Sequence, residues 1–400
     1  MLWKIWTASA VSANLSPHHK VLSPLAANMN VTENRRSLLE KTVKNSRKRW
    51  YHTKWFHLAL GICFTMICFW WAFQSMRTGG DGPDGLKPWS QVFREIAGAF
   101  QKADYRSLPP ILLALALFYV LKAWRWKMLL EPTGRFRTMT DLLPSVMIGF
   151  GFNNLLPAHL GEFVRMAMFS REHKVSNTGV LSSIALERIF DIIAILSFLA
   201  AGLLLADSSQ IDPSVVYTAW VFAGVVCVGL ATATIYLTWT APFVAAVERI
   251  MGTLPFVPSG LNQKVAGMLE SGAVGLASLR SIRLLIGILL TSYLQWALNG
   301  FMILMALWAF GIHVSPAVAA IVLGVVAVGV TIPSTPGYFG VIQLCFVVVL
   351  KLFVDDSLKE AVFAASVYYH MAQWVPVTAV GMLYFFRAGV RISDIQTAET

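Results

Sequence analysis

Six ionisable side chains stand inside apolar sequence: His159, Glu162 and Arg165 in "NNLLPAHLGEFVR", and Glu187, Arg188 and Asp191 in "ALERIFD". An ionised group at membrane depth costs about 2.5 to 3.5 kcal/mol on insertion scales, so such groups face a bundle interior or a wet cavity. Glu162 and Arg165 are three apart and Glu187 and Asp191 four apart, so each pair shares one helical face. The arginine forks, and the free N–H groups of a helix starting after Pro157, suit a phosphate. The carboxylates suit a proton or an amine. The same residues also suit an internal salt-bridge network, Glu162 with Arg165 and Glu187 with Arg188 from a neighbouring segment, that only holds the fold together.

A second, uncharged set of polar residues lies towards the C-terminus: Ser334, Thr335 and Gln343 around "IPSTPGYFG", with Gln295, Asn299, His370 and Gln373 on flanking apolar runs. His370 alone reads as an interhelical hydrogen bonder, not as a relay. No nucleophile has a supporting base, no Walker loop is present, and "GFGFNN" lacks the strand–turn–helix setting of a dinucleotide site. The expectation is a protein that is not an enzyme and holds no cofactor or metal.

The elements that position these residues follow from composition. Of 400 residues, 56% are hydrophobic and 13% charged, with mean hydropathy +0.62. A soluble domain carries about 25% charged residues, so this is a polytopic membrane protein. The net charge of +11 does not indicate nucleic acid, because the basic residues cluster beside apolar runs as topology signals. Cys63, Cys68, Cys227 and Cys345 lie within apolar runs and read as buried thiols. Residues 1–54 read as a basic cytoplasmic tail, partly disordered, whose start admits a weak signal peptide or a true start at Met29.

A membrane-crossing helix needs about 20 apolar residues. Leu58 to Met76 fits, and its basic N-terminal flank places the N-terminus in the cytoplasm. Trp89, Val92, Phe93, Ile96 and Phe100 recur at helical spacing in the following loop, which predicts a short helix on the outer surface. The second span covers Leu108 to Trp126, with Lys122, Arg125, Lys127, Arg135 and Arg137 marking its cytoplasmic end. The 20 uncharged residues from Leu142 to Gly161 then meet Arg165, Arg171 and Lys174, a second basic flank. Both ends are cytoplasmic by this rule, so residues 139–170 form a re-entrant hairpin turning at Pro157 to Gly161. Irregular backbone at that depth must be buried in protein or line a cavity.

Spans from Thr178 to Ala206 and from Pro213 to Trp239 follow, then a loop with an interfacial helix over Leu261 to Leu279. A span from Leu284 to Phe310 comes next. Val314 to Leu350 is 37 uncharged residues, too long for one helix and broken at Ile332 to Gly340. It predicts a second re-entrant hairpin, entering from the outer face, before the last span, Ala361 to Phe386, returns to Arg387 inside. The reading is an all-α polytopic membrane protein of about six full spans and two re-entrant hairpins. Residues 55–390 form one transmembrane domain, with inverted halves at about 108–206 and 284–387 and a short cytoplasmic tail at 391–400. Each break carries Pro-x-x-x-Gly, Pro157 to Gly161 and Pro333 to Gly337, and paired interruptions in inverted repeats point to a mid-membrane transport site.

On "NNLLPAHLGEFVR", "SSIALERIFD" and "TIPSTPGYFGVIQ", in that order and spacing, the chain resembles the transmembrane-domain family of lysylphosphatidylglycerol synthases, flippase-like membrane proteins of bacteria and archaea. The family pattern falls on Asn154, Pro157, Gly161, Glu162, Arg165, Glu187, Arg188, Asp191, Pro333, Pro336, Gly337 and Gly340. It departs at His159, where Arg is usual, and at Gln343, where Glu is usual. The resemblance implies a prokaryotic cytoplasmic membrane, a phosphate-containing lipid as substrate, a partner enzyme that makes that lipid, and no soluble synthase half. The substrate-binding candidates are Asn154, His159, Glu162, Arg165, Glu187, Arg188, Asp191, Pro333, Thr335, Gly337 and Gln343.

Overall fold

The structure is a computed structural model. It describes residues 62–78 except 64, 85–130, 139–156, 159–207, 239–253, 282–331 and 336–388, with single helical positions between 213 and 235. The chain divides into Met1–His57 and Leu58–Thr400, and every described residue belongs to the second unit. The span at 213–239, the interfacial helix at 261–279 and both tails lie largely or wholly outside the described residues.

The described residues are all-α apart from one isolated bridge between Thr78 and Leu86. We number the helices α1 (65–76), α2 (Trp89–Lys102), α3 (Leu108–Leu130), α4 (Met139–Leu155), α5 (Gly161–His173), α6 (Asn177–Leu205), α7 (Thr240–Thr253), α8 (Ile282–Ala309), α9 (Pro316–Gly329), α10 (Val341–Leu350) and α11 (Lys359–Arg387). By length and composition, Tyr105–Leu130, Asn177–Leu205 and Arg283–Ala309 could each cross a membrane. α11 matches them with 29 residues but is less apolar.

Both predicted breaks are present, and each divides a helical hairpin. At 1.5 Å per residue, α4 and α5 reach about 25 and 20 Å and α9 and α10 about 21 and 15 Å, each short of a hydrocarbon core of about 30 Å. The arms of the first hairpin meet where a side chain at Gly161 would strike the Gly149 carbonyl and Asn153. Those of the second meet at Gly329, against Cys345 and Val341. Local signals set the ends. Lys174 closes α5 in the left-handed conformation, and Ser176 caps α6 by accepting the Gly179 N–H. Ser315 caps α9 with Pro316 as its first residue.

Among α3–α6 and α8–α11 the helix packing is the same when the two sets are exchanged. α4 lies on α11 as α9 lies on α6; α3 touches α4 as α8 touches α9; α5 meets α6 as α10 meets α11; and α3 packs on α8. That last pair is antiparallel, since Phe118 meets Trp296, Arg125 meets Ser292 and Gly287 meets Met128. Both long-range hairpin contacts are made by glycine. Gly151 and Gly381 bring α4 against α11, and Gly202 and Gly324 bring α6 against α9. Lipid tails are as apolar as leucine, so close backbone approach supplies packing that hydrophobicity does not.

Two sequence expectations change. Cys63 is exposed, while Cys68 and Cys345 are buried and Cys227 lies outside the described residues. Lys122 and Arg125 are not an exposed flank: α3 runs three positions past Lys127 to a buried Leu130, and both residues are buried in its body. Opposite charge from α6 makes that position tolerable.

Candidate functional site

Glu187 and Asp191, one turn apart on α6, are 0% and 2% exposed. Buried carboxylates need partners, and α3 and α5 supply them. Lys122 Nζ lies 2.9 Å from Glu187 Oε1 and 3.2 Å from Asp191 Oδ2. Arg125 Nη2 is 2.8 Å from Asp191 Oδ1, and its Nη1 donates to Ser292 Oγ on α8 at 2.8 Å. Trp296 of α8 donates its indole N–H to Asp191 Oδ1 at 3.0 Å. Arg165 of α5 reaches Glu187 Oε2 at 3.0 Å and stacks 3.7 Å from the Trp126 ring centre. Lys122 and Arg125 sit three apart on α3, which puts both on the face turned to α6.

A second tier opens beside this core. Arg188 Nη2 pairs with Glu162 Oε1 at 2.5 Å, and Arg188 Nη1 lies 3.6 Å from Asp191 Oδ2. These two side chains keep 34% and 21% of their surface, whereas Lys122, Arg125, Arg165, Glu187 and Asp191 keep 4% or less. Arg188 and Glu162 are therefore the least enclosed charges of the cluster, with Arg188 Nε and Nη2 themselves buried against it. Among the described residues the cluster holds four cations, Lys122, Arg125, Arg165 and Arg188, against three carboxylates, Glu162, Glu187 and Asp191. Arg165 also keeps Nε and Nη1 buried without a hydrogen-bond acceptor. The assembly is short of negative charge and of acceptors.

The pairing differs from the one expected. Glu162 pairs with Arg188 and Glu187 with Arg165, so the pairs cross between α5 and α6 instead of closing within each helix. Lys122 and Arg125 are functional candidates that the sequence reading used only as topology markers. The signal was available, since both lie within an apolar run, but the positive-inside rule absorbed it.

The hairpin tips meet next to the accessible pair. The rings of His159 and Tyr338 lie 5.7 Å apart. Both residues are left-handed, with φ of 57° and 60°, a conformation that costs about 1 kcal/mol or more without glycine and clusters at functional sites. Each stands two residues before the glycine that precedes or opens its second arm, Gly161 or Gly340. The counterpart of "PAHLG" is thus "PGYFG", Pro336 to Gly340, and not the expected Pro333 to Gly337, a register shift of three.

The other candidates lie apart. Asn154 donates to Thr378 Oγ1 at 3.0 Å and ties α4 to α11. Gln343 is buried beside His370, and Gly337, at φ 75°, lies under the Trp374 ring. Pro333 and Thr335 fall outside the described residues. Among the described residues no group of His, Cys, Asp and Glu could hold a metal ion.

Residues 89–381 match the family described as the lysylphosphatidylglycerol synthase TM region. The chain is also similar to a UPF0104 membrane protein of Methanocaldococcus jannaschii, 22% identical over 244 residues that cover 58% of this chain and 92% of that protein.

Proposed function

Starting from the fact that this chain belongs to the lysylphosphatidylglycerol synthase transmembrane-region family, we propose that it is a flippase-like lipid transporter. In this reading it carries a lipid with a phosphate-containing headgroup across the membrane and is not itself an enzyme. The observation that carries the reading is the charge cluster at the hairpin tips, with its surplus cation and its single accessible pair. A phosphodiester arriving at Arg188 displaces Glu162 and supplies the missing negative charge through bidentate, charge-assisted bonds. Lys122, Arg125, Arg165, Glu187 and Asp191 hold α3, α5 and α6 in register around that position.

The exchangeable helix packing and the antiparallel α3–α8 pair support an inverted repeat, with α4/α5 and α9/α10 as re-entrant hairpins of opposite polarity. Opposed hairpins meeting at His159 and Tyr338 suit alternating access: one tip withdraws while the other seals. The test is lipid movement in proteoliposomes over a panel of phospholipids, glycolipids and polyprenyl phosphates. Accelerated transfer of a phosphate-bearing lipid, abolished in Arg188→Gln, is expected. Movement of no lipid in the panel overturns the reading.

A further inference from the structure

His370 on α11 is 4% exposed and Gln343 on α10 is 1% exposed. Their side chains form a directed chain with the hairpin tip. The Gly340 N–H donates to Gln343 Oε1 at 2.8 Å, and Gln343 Nε2 lies 3.2 Å from His370 Nδ1. A backbone N–H can only donate, which fixes Oε1 as the amide end facing Gly340. The end facing the imidazole is then NH2, also only a donor. Nδ1 must therefore be the acceptor, and His370 is neutral with its proton on Nε2. The Phe339 ring packs 4.7 Å from the imidazole. One neutral ring thus fastens two residues of the tip that carries Tyr338, Phe339 directly and Gly340 through Gln343.

We propose that His370 is a proton-controlled latch on the second hairpin. A proton taken from water forms a bond at Nδ1 and sets N–H against the Gln343 NH2. The Gly340–Gln343–His370 chain breaks, and the left-handed tip is released. The titratable groups on elements packed against α11 are Tyr338 of the tip, Cys345 on α10, Tyr119, Lys122, Arg125 and Lys127 on α3, Arg283 and Tyr293 on α8, Asp141 on α4, and Arg94, Glu95 and Lys102 on α2. Among the described residues none of these is an electrostatic partner of the ring. The preceding residue, Tyr369, donates to Asn299 of α8 at 2.7 Å. Asn299 lies on the α8 face that also carries Ser292 and Trp296, so the latch and the Asp191 cluster share one helix. That the proton drives a transport cycle rests on the transport reading above; the latch itself does not.

Hydrogen exchange on the full chain in nanodiscs, from pH 8 to pH 5 and normalised to intrinsic rates, tests it. Protection of the amides at 340–345 is expected to fall towards a limit of about tenfold per pH unit on the acid side, the limit for one proton, while α3 and α8 stay protected. His370→Gln should remove that slope. Gln343→Glu should invert it, because a carboxylate accepts from both Gly340 and a protonated Nδ1. A flat wild-type profile, or wild-type slope in either variant, overturns the proposal. Lipid transfer is measured separately: a latch that responds without lipid movement sinks only the transport reading, and movement with an unresponsive latch sinks only this one.

Discussion

Arg165 of α5 and Glu187 of α6 are joined at 3.0 Å with both side chains buried, so the second arm of the first hairpin is fastened to the following helix by an ion pair. Removing Glu187 leaves the Arg165 charge without its carboxylate at depth, which costs about 3 to 5 kcal/mol, whereas removing Arg165 leaves Glu187 still held by Lys122 at 2.9 Å and costs less. Glu187→Gln and Arg165→Met are each expected to lower thermal stability in detergent. The double variant should lose less than the sum of the two, because Arg165 is then no longer left unpaired by the loss of Glu187. Additive losses would show that the contact does not couple the helices.

Arg188 and Glu162 are predicted to behave oppositely. They keep a third and a fifth of their side-chain surface, so neutralising either removes a pair of small structural worth, roughly 1 kcal/mol or less. Glu162→Gln should leave the melting temperature nearly unchanged and tighten phosphate-lipid binding, since the internal competitor is gone. Arg188→Gln should abolish that binding with the fold intact. Titration with a fluorescent phospholipid reads both; equal affinity in wild type and Glu162→Gln would refute displacement.

The contrast between these pairs marks where sequence reasoning stops. The breaks at 157–161 and 332–340 were legible because Pro, Gly and charge parity are local signals. Which acid meets which arginine was not, because helix rotation decides it: Glu187 and Arg188 are neighbours in sequence but turn to different partners. The burial of Lys122 and Arg125 was not legible for a related reason. A lysine in apolar sequence signals a membrane surface unless a carboxylate waits on another helix, and only the packing of α3 on α6 supplies one. The symmetric glycine contacts were equally silent, since a helical glycine acquires meaning only from the backbone opposite.

Outside the membrane core, Lys87 holds Glu95 of α2 at 2.6 Å and Glu360 of α11 at 2.9 Å. The Lys87 ammonium holds the Glu95 carboxyl below the ordinary carboxylate value, against some burial. Lys87 itself is raised, its burial being outweighed by its bonds to the two glutamates. A depressed acid contributes stability that is present above its ordinary value and lost as pH falls through the depressed one. A raised lysine contributes below its ordinary value and loses that as pH climbs through the raised one. The α2 anchor should therefore be steady from about pH 5 to pH 10 and loosen outside it. Proteolysis between α1 and α2 should accelerate in acid in the wild type. In Lys87→Met it should be fast at every pH; a pH-dependent rate in that variant would show another group in control.

The glycine contacts give the sharpest contrast available on one chain. A side chain at Gly381 would strike the Met147 carbonyl and the backbone of Gly151, and one at Gly202 would strike the Ala317 carbonyl and Ile321. Backbone cannot rotate away as a side chain can, so Gly381→Ala and Gly202→Ala must part α11 from α4 and α6 from α9. Overpacking of this kind costs about 1 to 3 kcal/mol. Gly98, on α2, would meet nothing within 4 Å. There alanine only removes backbone freedom from the unfolded chain and gains about 0.5 to 1 kcal/mol. Thermal unfolding in one detergent should rank Gly98→Ala above wild type and both contact variants below it. If the two halves share one packing scheme, Gly381→Ala and Gly202→Ala should lose similar amounts; a loss confined to one of them would mean that only that hairpin is held by its glycine.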